Sequence, residues 1–175
     1  YNLSGMAFSP SEVSVSDYLD HWFDVYCKAN LKYNTQLGYV QIIEKHLKPA
    51  FGAYRLAALQ PGTIQEYVNA LKIRGLARAS VTGIVSVLSA AYEYAIEPLG
   101  YVRENPCARI RIPKFEKKPR ERAVISPEDF SRILERFPEG NNFHLPLLIG
   151  YYTGLRISEA FGLTWEDIDL EARTL

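Results

Sequence analysis

The chain has 175 residues, 47% hydrophobic and 23% charged, which suits one large soluble domain or two small ones. Twenty basic residues balance twenty acidic ones, so the formal net charge is zero and a uniformly cationic surface is excluded. No apolar run approaches a bilayer span and no charged stretch leads into an apolar one at the start, so no membrane partner and no export are expected; a bacterial source would place the chain in the cytoplasm.

Ser14 or Ser16 can cap a first helix with Val15, Tyr18, Leu19, Trp22, Phe23, Tyr26 and Cys27 on one face. Asn34 or Thr35 can open a second, carrying Tyr39, Ile42, Ile43, His46 and Leu47 inward and stopping at Pro49 and Gly52. After the breaker Pro61-Gly62, Thr63 and Glu66 have capping-box spacing for a third helix with Ile64, Tyr67, Val68 and Leu71 buried. Ser80 reads as the cap of a fourth, longer helix through Val81, Ile84, Val85, Leu88, Tyr92 and Ala95, closed by Pro98 and Gly100. Four amphipathic stripes in this length predict a compact bundle over residues 13–112, after a short extension over 1–12.

Residues 113–123 hold two prolines and mixed charge, the composition of a linker. They lie in a basic belt: residues 103–122 carry eight bases against three acids, whereas 124–175 carry four against nine. A zero total therefore hides a local cationic stretch, and a polyanion feels charge only within about 8 Å at physiological salt. Ser126-Pro127-Glu128-Asp129 then gives a cap, a first-turn proline and first-turn acids for a helix burying Phe130, Ile133, Leu134 and Phe137. An apolar helix from about Phe143 ends at Thr153-Gly154, and another starts at once around Leu155-Arg156. Thr164-Trp165-Glu166-Asp167 is a capped turn before the approach to a strand at Ile168. A chain opening on Tyr1 and stopping at Leu175 has the look of a piece of a longer protein. Cys27 and Cys107 fit no metal or redox spacing and read as buried thiols.

The most informative stretch is Tyr152-Thr153-Gly154-Leu155-Arg156-Ile157-Ser158-Glu159-Ala160, continuing to Trp165-Glu166-Asp167-Ile168-Asp169. Gly154 lets the backbone leave one helix and enter another through a positive φ. Arg156 then stands at the start of the new helix, and its planar guanidinium can grip two phosphate oxygens while staying charged at any biological pH. Glu159, three residues on, shares its helix face and can hold it. Outside such a setting an Arg-x-x-Glu pair is a surface ion pair worth a few tenths of a kcal/mol.

This segment closely resembles box I of the tyrosine recombinases, the phage integrase family, with Ala160 where leucine is usual. Leu47-Lys48-Pro49-Ala50-Phe51-Gly52, Asn105-Pro106, the basic linker and the Ser126-Pro127 helix start follow in the family's order, so the resemblance covers the chain from about residue 13. It implies an integrase of a phage or integrative mobile element, cut within its catalytic domain. The implied fold is mainly α: a four- to five-helix SAM-like core-binding bundle, a linker, and over 124–175 the helical start of a mixed α/β catalytic domain. It implies DNA cleavage and rejoining through a 3′-phosphotyrosine, with Arg156 as the first catalytic arginine and Glu159 in support. The family's His-x-x-Arg box is not found here, since Asp24, Pro49 and Leu147 follow three residues after His21, His46 and His144. The chain alone is accordingly expected to be inactive and monomeric, whereas working complexes of the family are tetramers on two DNA sites.

The family's bundle faces duplex DNA with its second and fourth helices, which implies contacts from Lys32, Asn34, Thr35, Arg78, Ser80 and Thr82; as helix-start residues, Asn34, Thr35 and Ser80 also read as plain caps. Lys114, Lys117, Lys118 and Arg120 fall in the linker that crosses the duplex backbone in the family, although a charge run is commonly just solvated. No Gly-rich phosphate loop, metal-ligand spacing or clustered acid motif is present in the sequence, so no cofactor and no metal are expected. Two other readings remain open on residues alone: a DNA-binding integrase remnant without catalysis, and a helical protein-interaction module.

Overall fold

The computed structural model describes residues 12–116, 124–169, 171, 172 and 174, within two compact units, Tyr1–Lys117 and Lys118–Leu175. In the first unit, α1 runs Val15–Trp22, passes through a π-helical turn at Phe23–Cys27 and ends with Lys28–Asn30. Ser14 caps it, its Oγ accepting the Asp17 N–H at 3.0 Å. Helix α2 is Tyr33–Ile42, a second π turn Ile43–Leu47, and Lys48–Phe51. Pro49 does not stop it as expected. The Lys48 N–H reaches back five residues to Ile43 O, and proline, with no N–H, then leaves no donor unmatched. The turn at Gly52 is steric as well: a Cβ there would lie 2.5 Å from the Lys48 carbonyl oxygen.

Two helix starts also differ from expectation. Helix α3, Pro61–Ile73, begins with Pro61 in its first turn, so Pro61-Gly62 opens the helix and Thr63 caps nothing. A first-turn N–H has no intrahelical acceptor, and proline costs nothing there. Helix α4, Arg78–Ile96, starts after Ala77, which places Ser80 inside the helix. It is long and apolar enough to cross a bilayer, but Val81, Ile84, Val87, Leu88, Ala91, Tyr92 and Ala95 are buried in the bundle. It is the core helix.

Around α4 the other elements close a single apolar interior with Trp22, Tyr18, Phe51, Leu47, Ile64, Val68 and Leu71. Each such side chain contributes roughly 1.5–3 kcal/mol when fully buried. Two buried hydroxyls find carbonyls: Tyr18 Oη donates to Ala91 O at 2.6 Å, and Tyr92 Oη to Leu56 O at 2.9 Å. These bonds tie α1 and the 3-10 turn Leu56–Ala58 to α4. Cys27 and Cys107 are buried free thiols, as read from the sequence. Beyond α4, the Asn105 side-chain amide donates to Ser89 Oγ and Glu93 Oε1, while its carbonyl takes the Cys107 N–H. Residues 110–116 stay on the bundle: Ile110, Ile112 and Phe115 pack against the core. Gln65 holds Arg111 by both main-chain groups at 2.9 Å.

In the second unit, α5 is Pro127–Arg136, capped by Ser126 as expected, α6 is His144–Thr153 and α7 is Ile157–Gly162. A 3-10 turn, Trp165–Asp167, and an antiparallel bridge between Asp169 and Thr174 follow, and no strand longer than that bridge occurs among the described residues. The interior is thin. Phe130 stacks on Tyr151 with ring centroids 3.8 Å apart. Tyr152, the next residue, is 76% exposed. Adjacent helical residues point about 100° apart, so Tyr151 stacks on Phe130 while Tyr152 meets the same ring only edge-on, with centroids 6.3 Å apart.

Candidate functional site

Two places collect the residues singled out by sequence: the turn between α6 and α7, and the outer surfaces of α2 and α4. At the first, α6 ends on Gly154 with φ +74°, the left-handed region, and the Gly154 N–H closes the helix on Gly150 O at 3.0 Å. Thr153 Oγ1 takes the Leu155 N–H, and α7 begins two residues later. Arg156 is the residue that directly precedes the helix, with extended backbone. Its carbonyl accepts from Glu159 and Ala160 N–H.

Glu159 holds Arg156 at both ends. One carboxylate oxygen accepts the Arg156 main-chain N–H at 2.7 Å, and the other accepts Nη1 at 3.1 Å. The reverse half of a capping box cannot form, because a guanidinium has no acceptor. The arginine side chain is 83% exposed, and Nε and Nη2 have no partner among the described residues. The arrangement is a fixed cation with one edge engaged and the rest open to an oxyanion. The turn is followed by Thr164, whose N–H and hydroxyl both donate to Asp167 at 2.9 Å. Those two bonds, the main-chain one first, hold the Asp167 carboxyl below its ordinary pKa.

On the bundle, Lys32 directly precedes α2, with Asn34 and Thr35 in the first turn; Arg78 is the first residue of α4, and Ser80 and Thr82 follow. All six are exposed. The cap reading for Asn34, Thr35 and Ser80 is corrected: the first-turn bonds of α2 end on the Lys32 carbonyl, and no side chain caps either helix. Their polar groups therefore stay open to a ligand. Helices α2 and α4 pack side by side where the small Gly83 meets Ile42, 3.9 Å from where a Cβ would sit. Lys114 is exposed on the segment fastened by Gln65 and by Phe115, over which Lys72 Nζ sits at 5.8 Å. Lys117, Lys118 and Arg120 lie outside the described residues.

Sequence reasoning missed a second apolar row on α2. Tyr33, Leu37 and Val40 are 71%, 49% and 38% exposed, with Gln41 exposed beside them. These positions recur at four and three residues, and the same spacing runs on into the buried Ile43 and Leu47, so periodicity alone does not separate the exposed row from the core stripe beyond it. Among the described residues no group of histidines, cysteines and acids is arranged to hold a metal.

Residues 14–72 match the phage integrase N-terminal SAM-like domain. A tyrosine recombinase XerC-like protein of Caldanaerobacter subterraneus is 27% identical over 177 residues, covering 98% of this chain and 45% of the relative. The solution structure of an integrase-like domain from Bacillus cereus, 29% identical, superposes with a TM-score of 0.56 over 63% of this chain and 92% of its own. A lambda integrase dimer bound to a core site has the same fold, with a TM-score of 0.71, 23% identity, and coverage of 91% of this chain and 44% of that one. The chain spans less than half the length of the curated relatives it matches. Residues 14–72 belong to the phage integrase N-terminal SAM-like domain family, and the chain is similar over most of its length to tyrosine recombinases and integrases.

Proposed function

We propose that this chain serves site-specific DNA recombination, in which a whole recombinase of a phage or integrative element cleaves duplex DNA and rejoins it through a 3′-phosphotyrosine. The bundle grips the duplex with Lys32, Asn34, Thr35, Arg78, Ser80 and Thr82, and Lys114 adds a backbone contact with Lys117, Lys118 and Arg120. The observation that carries the catalytic part is Arg156, an exposed guanidinium steadied on one edge by Glu159. As a phosphodiester is attacked, negative charge grows on its non-bridging oxygens. A donor already fixed in place stabilises that state more than the ground state and needs no reorganisation. Arg156 is the catalytic residue in this scheme; Glu159 positions it.

Phosphate contacts by lysine and arginine give affinity without sequence information, so gripping and chemistry are separable. The 175 residues contain no His-x-x-Arg box, and the chain by itself is expected to bind DNA as a monomer without cutting it. The whole enzyme works in the cytoplasm as an assembly of several protomers on paired sites. The test is Arg156→Ala in the whole recombinase, assayed on a nicked suicide substrate that traps the covalent intermediate. Removal of a transition-state oxyanion donor costs about 100- to 1,000-fold or more in cleavage, with most DNA affinity retained. Cleavage at the unaltered rate would remove Arg156 from the chemistry.

A further inference from the structure

The outward row of α2 is apolar where a soluble helix is ordinarily charged. From Tyr33 to Ile43 there is no charged residue, and Tyr33, Leu37 and Val40 stand exposed in line with Gln41. The helix does not need this row to dock. Its inward side already packs, with Tyr39 stacked on Trp22 at 5.9 Å and Ile43 and Leu47 in the core. The acid that follows the row on its own helix is neutralised: Glu44, four residues past Val40, pairs with Lys48 at 2.6 Å. On the same helix Lys32, next to Tyr33, and Lys45, four residues past Gln41, take part in no ion pair among the described residues. An uncharged strip followed on its own helix by a masked acid and flanked there by unpaired lysines suits a polyanion that also offers apolar groups. It suits an acidic or mixed protein surface less well.

We infer that this row reads A·T base pairs in the major groove, with Tyr33, Leu37 and Val40 against thymine methyl groups and Gln41 toward an adenine edge. This rests on the DNA-gripping role proposed above and names the sequence class it selects. The major groove, about 12 Å wide, admits one α-helix, and the thymine C5-methyl is its one apolar feature. Tyr33 to Gln41 spans roughly 12 Å of helix at 1.5 Å per residue. A glutamine amide matches the paired donor and acceptor of adenine, whereas the commonest guanine reader, arginine or lysine, is missing from the row. Affinity then comes from the surrounding bases, and preference from a row that carries no charge.

The experiment measures binding of the 175-residue chain to duplexes of about 20 base pairs, two helical turns, with alternating A·T, A·U or G·C pairs. Uracil removes only the methyl group. The row predicts tightest binding to A·T, with a loss of roughly fourfold for each buried methyl that uracil deletes. Leu37→Ala, at an exposed position, leaves the Trp22 emission of the folded bundle in place and the salt dependence unchanged, but shrinks the A·T-to-A·U ratio. Val40→Ala does the same. Equal affinity for A·T and A·U duplexes with a normal salt dependence would sink the inference while leaving the DNA grip intact. No binding to any duplex at low salt would sink the grip as well. Full discrimination retained in both variants, or self-association of the chain that Leu37→Ala abolishes, would assign the row elsewhere and overturn the inference.

Discussion

The two units differ in how completely they bury their apolar residues. Every buried apolar residue among the described ones lies in the bundle except Phe130 and Ala160. The second unit instead leaves Leu145, Tyr152, Ile157, Phe161 and Trp165 more than half exposed. A closed interior makes the bundle a rigid platform for a surface of fixed side chains. The second unit depends on local devices: a left-handed glycine, the two-ended hold of Glu159 on Arg156, and the Thr164–Asp167 cap. The contrast is between a unit that closes its own interior and one whose apolar side chains stay open, in a chain that spans less than half the length of the curated relatives it matches.

Each tryptophan reports one unit, since Trp22 is fully buried and Trp165 is 82% exposed. The largest expected effect is Leu47→Ala in the bundle core, which should cost about 2–5 kcal/mol and lower the denaturant midpoint read from Trp22. Phe130→Ala should leave that midpoint unmoved, because its ring partners, Tyr151 and Tyr152, belong to the second unit; a shared shift would break the comparison. Next is Tyr92→Phe, which leaves the buried Leu56 carbonyl without its donor and is expected to cost about 1–2 kcal/mol. Thermal unfolding of that variant checks the value, and an unchanged midpoint would mean the hydroxyl bond adds nothing.

Gly154→Ala comes third. A Cβ there meets nothing within 4 Å, so the penalty is the positive φ alone, about 1–2 kcal/mol. Hydrogen exchange should rise in α7 and the turn while the bundle amides keep their protection. Smallest in energy, though clearest to read, is thiol chemistry. Burial pushes Cys27 up to about 11 and Cys107 up to about 12, the latter helped by the Glu93 charge. The neutral thiol is the stable form in mildly alkaline buffer, so a maleimide should label neither in the folded chain and both in denaturant. Rapid native labelling of either would show an interior looser than described.

Much of this was legible in the residues. The buried rows of α1, α3 and α4, the Ser14 and Ser126 caps and the glycine break before Arg156 follow from periodicity and turn chemistry. What escaped has specific causes. Helices α2 and α4 start at Lys32 and Ala77, neither of which offers a side-chain cap, so a search for Ser, Thr or Asn places them late. Pro49 reads as a stop unless the preceding π turn is known, and that turn depends on tertiary packing. The two-ended hold on Arg156 was only half visible: spacing brings Glu159 to the guanidinium, but the bond to the main-chain N–H needs the extended backbone at Arg156. The exposed row on α2 was hidden because apolar residues are ordinarily assigned to a core.

The claim on which the rest depends is that the bundle surface is a cationic grip for duplex DNA. Its most direct measurement is the affinity of the chain for a duplex across a series of salt concentrations, repeated with Lys32→Ala and Arg78→Ala together. The account predicts that log affinity falls linearly with log salt, and that the double variant binds more weakly with a slope shallower by about two. Affinity indifferent to salt, or a double variant with the parent's slope, would contradict it.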